Sequence, residues 1–317
     1  MTGMTIAETA KALLKGDHYV ILTHRRPDGD TLGSSALLCR GLRQLGKTAH
    51  ILENPEITPK YIHLHQGLTK QTVEATDVLI STDVASVGML PEAVTCLADR
   101  IWLRIDHHRT SESFTEEELV DPDSASCGEL VYEVLKQMGA QLDVAMANAL
   151  YTAISTDTGC FRFANTKPHT FRVAAACAEV TPDIFEINQA LFGTTSLPRL
   201  KVESWLLQNM RFLQNGQAAV CPLPASVEQA FGATEDDLEN ISGFPRSIEG
   251  VKIAATLRET ADGLIKISVR AVPGYDAGKV CAKFGGGGHR GAAGASVNMS
   301  LEQAAEAVAG ALKECFQ

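Results

Sequence analysis

The first half of the chain alternates short apolar runs, rich in β-branched residues, with helical or loop segments. The runs lie at 19–23, 48–52, 77–82 and 101–105. After the first run, a helical pattern extends from Thr31 to Leu45 and stops at Gly46. Strands that alternate with helices are typical of an α/β fold built around a parallel sheet. We therefore predict an α/β fold with a parallel-sheet amino-terminal domain.

Two more helices are predicted beyond these runs, at 127–138 and at 144–155. Ser126 stands three residues before Glu129, which is the spacing of a capping box, and Gly139 provides a stop signal. The second of these helices delivers Asp157 just beyond its end. The three glutamates at 116–118 are interpreted as the solvated start of a helix.

The pattern changes between Ile187 and Arg199, and a new amphipathic helix is predicted at 200–215. Beyond it, the runs 218–221, 251–258 and 264–270 are predicted to be antiparallel strands, with a hairpin turn at 261–263. We expect a catalytic domain at 1–190, a helical linker at 191–215 and a smaller α+β domain at 216–317.

Composition restricts the class of protein. A formal net charge of -10 argues against a broad grip on long duplex DNA, which needs a basic surface. The eight cysteines form no C-x-x-C pair, so reduced thiols in a cytoplasmic setting are expected. The first fourteen residues lack the features of a signal peptide, and no apolar run approaches the roughly 18 residues of a membrane span. We expect a soluble protein without a membrane partner.

Six aspartate and histidine side chains lie at or just beyond the ends of predicted strands and helices. They are His24, Asp28, Asp30, Asp83, His107 and Asp157. Oxygen ligands mixed with imidazole suit Mn²⁺ or Mg²⁺, and such a set predicts hydrolysis of a phosphoester. Taken alone, Asp28-Gly29-Asp30 is more typical of a turn in which Asp30 caps the next helix. The six together favour a metal site.

A glycine-rich segment, 285–294, includes His289 and Arg290. Four consecutive glycines are also typical of a flexible linker. Exposed backbone N–H groups beside two cationic side chains would instead form a phosphate cradle.

These motifs together resemble those of the DHH phosphoesterase family, and most closely its oligoribonuclease and pAp phosphatase branch. Residues 23–34 resemble the first motif, Asp83 the second, Asp106-His107-His108 the third, and 156–159 with 161–163 the fourth. The glycine-rich segment resembles the signature of the associated carboxy-terminal domain. The resemblance implies an active site in the cleft between the two domains.

The resemblance also implies a division of the ligands. One cation would be bound by His24, Asp28 and Asp83. The other would be bound by Asp30, Asp83, His107 and Asp157, with Asp83 bridging the two. His108 would contact the phosphate or the leaving oxygen, and Asp106 would orient the strand end or a histidine ring. The expected substrate contacts are Arg270, His289, the amides of Gly286, Gly287 and Gly288, and, as weaker candidates, Arg258 and Arg290.

The expected activity is that of a phosphodiesterase with two divalent cations, Mn²⁺ ahead of Mg²⁺. It would degrade very short RNA to 5′-mononucleotides and remove the 3′-phosphate of 3′-phosphoadenosine 5′-phosphate (pAp). Cyclic dinucleotides or their linear products are the alternative substrates, and a pyrophosphatase or exopolyphosphatase ranks third. A nucleotide-binding sensor is the non-enzymatic alternative, disfavoured because no expected ligand is replaced. Whether the chain forms a homodimer is left open.

Overall fold

Six parallel strands form the central sheet of the first half of the chain, which confirms the predicted α/β architecture. The computed structural model describes residues 3–316 and divides into two compact units, Met1–Thr194 and Thr195–Gln317. The strands of the first unit are β1 (Tyr19–Leu22), β2 (Ala49–Leu52), β3 (Thr69–Lys70), β4 (Val78–Thr82), β5 (Ile101–Asp106) and β6 (Glu117–Val120). All neighbouring pairs are parallel.

The order of the strands creates a crevice at the carboxyl edge of this sheet. The order is β3-β2-β1-β4-β5-β6, so its direction reverses between β1 and β4. The loops that leave the sheet diverge at such a point, and ligands of open α/β sheets bind there. His24 follows β1 closely and Asp83 follows β4 directly, so two predicted ligands flank this crevice.

Six α-helices pack in the apolar cluster on one face of the sheet. They are α1 (Ile6–Lys15), α2 (Gly29–Gln44), α3 (Cys127–Met138), α4 (Val144–Asp157), α5 (Pro168–Val180) and α6 (Ile184–Asn188). The cluster on the other face includes two short 3-10 helices, Val87–Met89 and Glu92–Arg100. Tyr19 and Ile21 are buried in one apolar cluster, while Val20 and Leu22 are buried in another. A strand with two buried faces reads as a continuous apolar run, which explains the first run of the sequence. Along residues 3–316, every helix is too short or too polar to cross a bilayer.

The interpretation of residues 116–118 as a helix start is wrong, because these glutamates lead into the edge strand β6. Leu119 is buried, and the register pairs Leu103 of β5 with Glu117. Glu118 is not solvated as expected, since its carboxylate lies 3.2 Å from the buried guanidinium of Arg104. A run of like charges therefore concealed a strand.

The second unit contains a mixed sheet of six strands in the order β11-β12-β10-β9-β8-β7. Its strands are β7 (Arg211–Leu213), β8 (Ala218–Leu223), β9 (Ile253–Glu259), β10 (Ile265–Ala271), β11 (Gly287–Gly288) and β12 (Ala292–Val297). Its helices are α7 (Leu197–Asn209), α8 (Ala225–Phe231), α9 (Ala277–Ala282) and α10 (Leu301–Glu314). The smaller α+β domain is confirmed.

Two details of this unit differ from the predictions. The predicted helix at 200–215 spans Leu197–Asn209 instead, because residues 211–213 pair with β8 as strand β7. Gln214, Asn215 and Gly216 all have positive φ and form the turn between these two strands. Strand β8 is parallel to β9, not antiparallel. The long connection between them contains α8, and only such a crossover can join parallel neighbours. Strands β9 and β10 are antiparallel around the predicted turn at 261–263.

The glycine-rich segment forms a close-packed edge hairpin, so it is not a flexible linker. A Cβ on Gly286 would lie 2.2 Å from the carbonyl oxygen of Gly294, and one on Gly288 would lie 2.6 Å from the Cα of Ala293. The amide of Gly286 donates to the carbonyl of Cys281 at 3.0 Å. Glycine is required at 286 and 288 because β12 approaches the backbone so closely.

A tight contact between α2 and α4 supports the loop that carries the first motif. A Cβ added to Gly33 would lie 2.4 Å from the carbonyl oxygen of Ala149 and 3.0 Å from the Cβ of Ala153. We expect Gly33→Ala to lower the free energy of unfolding in urea by about 1–3 kcal/mol through this overpacking. The matched control is Gly310→Ala in α10, where nothing lies within 4 Å of the added carbon. Alanine loses less backbone entropy than glycine in a helix, so Gly310→Ala should raise the free energy of unfolding by about 0.5–1 kcal/mol. Equal effects of the two changes would contradict the packing argument.

Candidate metal centre

The predicted ligands converge at the carboxyl edge of the first sheet. Asp28 caps α2 through hydrogen bonds from the amides of Asp30 and Thr31, so the cap is Asp28 and not Asp30. Asp83 follows β4, Asp106 ends β5, and Asp157 is the last residue of α4. All six ligand candidates therefore belong to the first unit.

Two groups of histidine and carboxylate atoms share Asp83. In the first, His24 Nε2 lies 3.6 Å from Asp28 Oδ1 and 3.5 Å from Asp83 Oδ2. In the second, His107 Nε2 lies 3.5 Å from an oxygen of Asp30, 3.5 Å from Asp83 Oδ1 and 3.4 Å from Asp157 Oδ2. Donor atoms that surround one cation at about 2.1 Å are separated by about 3 Å or slightly more. These groups have that spacing.

Backbone carbonyls fix the orientation of both histidine rings. His24 Nδ1 lies 2.8 Å from the carbonyl oxygen of Arg25, and His107 Nδ1 lies 3.3 Å from that of Ser124. A carbonyl can only accept, so Nδ1 carries the proton in each ring. Nε2 of each ring therefore faces the carboxylates, which is the arrangement of metal-bound histidines.

Asp83 occupies a strained position between the two groups. Its φ is 62°, a left-handed conformation that non-glycine residues rarely adopt. Its amide donates to the carbonyl of Ile105 at 2.9 Å, which ties the end of β4 to β5. The Oδ1 atom is buried and has no hydrogen-bond partner among the described residues. An unsatisfied carboxylate oxygen in such a place is available to a cation.

Asp30 is held by the amino terminus of α3. Its two carboxylate oxygens accept hydrogen bonds from the amides of Cys127 at 2.7 Å and Gly128 at 3.0 Å. The side chain is 1% exposed. The helix end thus fixes the rotamer of a predicted ligand and favours its negative charge.

The crowding of carboxylates shifts their pKa values. Burial, followed by the charges of Asp83 and Asp157, raises the pKa of Asp30 well above its usual range. Burial and the neighbouring charge of Asp83 raise the pKa of Asp157 to about 7, although His107 opposes this shift. Burial opposes the ionisation of Asp83, yet the neighbouring imidazoles of His107 and His24 hold its pKa well below the usual range.

The two histidines respond in the opposite sense. Burial opposes the charge on His24, but the carboxylates of Asp28 and Asp83 outweigh this effect and raise its pKa to about 11. Burial likewise opposes the charge on His107, and Asp83 and Asp30 raise its pKa to about 10. Excess negative charge at the site therefore attracts cations. The orphaned oxygen, the spacing and the donor types all fit divalent metal ions.

Asp106 and His108 form a pair beside these groups, and His108 Nδ1 also lies 3.5 Å from Asp83 Oδ1. His108 Nδ1 lies 2.7 Å from Asp106 Oδ1, and the same oxygen accepts the amides of His107 and His108 at 2.8 and 3.2 Å. Asp106 is fully buried, whereas the His108 side chain is 36% exposed. The Asp106 carboxylate thus orients a ring whose Nε2 is left for an external group.

The predicted substrate contacts lie in the second unit, and they differ in their surroundings. Arg258 is held by the carboxylates of Glu228 and Glu235 through four hydrogen bonds. This arrangement argues against the substrate contact predicted for Arg258. Arg290 is exposed and lies 3.5 Å from Asp276.

Arg270 is half-buried, and its guanidinium donates to the carbonyl of Val269 at 3.1 Å. Burial lowers the pKa of Arg270, and within residues 3–316 no carboxylate pairs with it. An anionic ligand would therefore be favoured at this position.

The amides of the glycine-rich segment are largely engaged. The His289 amide donates to the carbonyl of Ala292 at 2.8 Å, and Gly287 and Gly288 pair with Gly294 and Ala293. Hydrogen-bonded and non-hydrogen-bonded pairs alternate in an antiparallel ladder, so the amide of Gly288 does not donate to β12. The Gly286 amide is therefore unavailable to the predicted phosphate cradle, because it already donates to the carbonyl of Cys281.

Two asparagines that support the ligands were not anticipated. Asn54 donates to Thr23 Oγ1 at 3.0 Å and to the carbonyl of His24 at 2.9 Å. Asn165 donates to the carbonyls of Ala125 and Asp157 at 3.0 and 3.1 Å. Asn54 lies just beyond β2, at the same edge of the sheet as the ligands, and this position in the sequence could have identified it as a residue of the site.

Comparisons with known proteins agree with this site. The profile of the DHH family, N-terminal domain, matches residues 18–154, and that of the DHHA1 domain matches residues 216–317. A Thermus thermophilus protein named bifunctional oligoribonuclease and PAP phosphatase is 33% identical over 315 residues, covering 98% of this chain and 93% of the relative. A Bacillus subtilis protein of the same name is 27% identical over 286 residues, covering 89% and 90%.

The fold has a close structural counterpart. The crystal structure of an exopolyphosphatase-related protein from Bacteroides fragilis gives a TM-score of 0.84 at 24% identity, over 98% of this chain and 96% of that one. The chain belongs to the DHH family and carries a DHHA1 domain. The family resemblance deduced from the sequence motifs is confirmed.

Binding of cations should release protons. The pKa values of about 11 for His24 and about 10 for His107 place a second proton, on Nε2, on each ring at pH 7. A metal ion requires neutral imidazole, so we expect release of at least about two protons at pH 7 and an affinity that rises with pH. Calorimetry of Mn²⁺ binding in buffers of different ionisation enthalpy measures this release. His107→Gln should lower the release by about one proton, while the exposed control His63→Gln should leave it unchanged. An unchanged release in His107→Gln would rule out the ring as a ligand.

Proposed function

We propose that this protein is a two-metal phosphodiesterase that degrades very short oligoribonucleotides to 5′-mononucleotides and also removes the 3′-phosphate of pAp. The observation that carries the proposal is the position of Asp83 between two imidazoles, with Oδ2 3.5 Å from His24 Nε2 and Oδ1 3.5 Å from His107 Nε2. The names of the Thermus and Bacillus relatives support the choice of substrates.

The ligands divide between two cations. His24, Asp28 and Asp83 would hold one. The other would be held by Asp30, Asp83, His107 and Asp157. Asp83 is suited to bridge them because its two oxygens face different histidines, Oδ2 toward His24 and Oδ1 toward His107. Carboxylates with two imidazoles favour Mn²⁺, with Mg²⁺ as the second choice. When bound, such a pair of cations activates water and neutralises the charge of the phosphate.

The remaining residues of the centre act on the substrate. His108 presents Nε2 outward, so it can donate a hydrogen bond to a phosphate oxygen or to the departing oxygen. Asp106 keeps this ring in place by accepting from Nδ1 at 2.7 Å. Burial of Asp106 shields this hydrogen bond from water, which strengthens it.

Capture of the nucleotide is assigned to the second unit. Arg270 would pair with a phosphate, because its charge is half-buried without a carboxylate partner in the described part of the chain. The His289 side chain and the amide of Gly288 would bind the terminal phosphate, with Arg290 at the margin. A negatively charged protein with only local cationic groups suits a short substrate better than a long one.

A panel of substrates tests the proposal. The purified protein with Mn²⁺ is incubated with RNAs of two to ten nucleotides, pAp, cyclic dinucleotides, pyrophosphate and polyphosphate. We expect the highest kcat/KM for the shortest RNAs, with measurable phosphate release from pAp. A preference for cyclic dinucleotides or pyrophosphate would replace the proposed substrate, and turnover of none would favour the nucleotide-binding sensor.

Loss of the bridging carboxylate should abolish activity. We expect Asp83→Ala to reduce kcat to below about one per cent of wild type at saturating Mn²⁺, because both cations lose a ligand. Asp106→Asn removes a charge that orients His108 but contacts neither cation, and it should cost about 10–100-fold. Retention of more than about a tenth of kcat by Asp83→Ala would contradict the two-metal assignment.

Substrate capture should be separable from chemistry. Arg270→Ala and His289→Ala should each lower kcat/KM for a dinucleotide by about one to two decades, since a hydrogen bond to a charged phosphate contributes about 1.5–3 kcal/mol. Hydrolysis of bis(p-nitrophenyl) phosphate should change little. Arg211→Ala is the matched control, because this arginine of the same unit is paired with Glu302 and Glu306. Equal losses on both substrates would place Arg270 and His289 in the catalytic centre.

A further inference from the structure

Arg104 is the largest fully buried side chain of the protein within residues 3–316, and the proposed chemistry does not use it. It lies on β5, two positions before Asp106, and is 1% exposed. Burial of a guanidinium is costly unless ionic and hydrogen-bonding partners surround it. Its partners therefore indicate what it does.

The guanidinium connects the end of β5 with the turn after β4 and with strand β6. Its Nη1 atom lies 3.6 Å from Asp106 Oδ2 and donates to the carbonyl of Ala85 at 3.1 Å. Its Nη2 atom lies 3.2 Å from Glu118 Oε2 on β6. The Phe114 ring covers it, with its centroid 5.1 Å from the guanidinium carbon. Ala85 is two residues beyond the strained Asp83, so Arg104 also fastens the turn that carries the bridging ligand.

The two oxygens of the Asp106 carboxylate have different surroundings: Oδ2 faces the buried Arg104, and Oδ1 faces the half-exposed His108 ring. Oδ2 has no hydrogen-bond partner in the part of the chain that the structure describes, and it faces Arg104. Oδ1 accepts three hydrogen bonds, including that of His108 Nδ1. A continuous series of contacts thus runs from the buried Arg104 through Asp106 to the half-exposed His108 ring.

We propose that Arg104 is a positioning residue, which fixes the Asp106 carboxylate and through it the orientation of the His108 ring toward the substrate. The planar fork of arginine allows one cation to reach Asp106, Ala85 and Glu118 at once. The point charge of a lysine cannot meet this requirement, although it preserves the charge. The expected effect of Arg104 on turnover rests on the proposed function, whereas its effect on the His108 ring does not.

A double-mutant cycle tests whether Arg104 acts through Asp106. Arg104→Lys should lower kcat for a dinucleotide by about 10–100-fold and change KM by less than about twofold. In the Asp106→Asn background, Arg104→Lys should have less than about a threefold further effect, because the carboxylate that it positions is already gone. Glu118→Gln is the control: it keeps an oxygen acceptor for Arg104 and should retain kcat within about threefold.

A substrate-independent measurement separates this inference from the proposed activity. In the Mg²⁺-loaded enzyme, the Nδ1 proton of His108 should give a downfield proton resonance, because it is hydrogen-bonded to Asp106. Asp106→Asn should shift this resonance, and that shift assigns the resonance to His108. Arg104→Lys should shift or broaden this resonance, whereas Glu118→Gln should preserve it. Absence of turnover in the wild type would overturn the proposed function and leave this comparison intact.

Three outcomes would overturn the role of Arg104. The first is independent, multiplicative losses in Arg104→Lys and Asp106→Asn. The second is an unchanged His108 resonance in Arg104→Lys. The third is a lower melting temperature with kcat intact, which would make Arg104 a purely structural residue. If Arg104→Lys does not fold, the double variant with Glu118→Gln leaves one buried cation facing one carboxylate, Asp106, instead of two. The kcat and the His108 resonance are then measured in that double variant.

Discussion

Mutual repulsion among four carboxylates at one edge of a sheet is the constraint on which the site depends. Asp28 and Asp30 come from the start of α2, Asp83 follows β4 and Asp157 ends α4, and the fold holds them together against this repulsion. Hydrogen bonds from helix termini offset part of the cost, since α2 donates amides to Asp28 and α3 donates amides to Asp30. The imidazoles of His24 and His107 offset more of it. The remainder is available as affinity for divalent cations.

The topology explains why the chain can gather these groups. Parallel strands place all their carboxyl ends at one edge, and the reversal of strand order between β1 and β4 opens that edge. The packing of Gly33 against Ala149 then sets the distance between the helix that carries Asp30 and the helix that ends at Asp157. The packing of the core therefore determines part of the geometry of the ligands.

The sequence predicted the elements whose periodicity and end signals agree. The four main strands, the helix at 127–138 and the convergence of the six ligands followed from local patterns and from the rule for carboxyl edges. Strand β6 was missed because three glutamates at its start hide a single buried Leu119. The direction of β8 could not be predicted, since pairing depends on which distant segment lies beside it. The glycine hairpin was misjudged because glycine composition does not distinguish freedom of the backbone from close approach of another strand.

Contacts between side chains of different elements could not be predicted from local sequence patterns. Arg104 reads as one polar residue within an apolar strand, and only the folded chain brings it to Asp106, Ala85 and Glu118. Asn54 and Asn165 belong to the same category, because each supports a ligand that is distant in sequence or follows a turn.

The left-handed backbone at Asp83 places steric strain at the position that joins the two groups of ligands. Glycine would adopt the φ of 62° without steric cost. Burial opposes the ionisation of Asp83, yet His107 and His24 hold its pKa well below the usual range, so the folded chain favours the charged carboxylate. Glycine at this position would therefore relieve the backbone and leave two imidazoles without the carboxylate that they share.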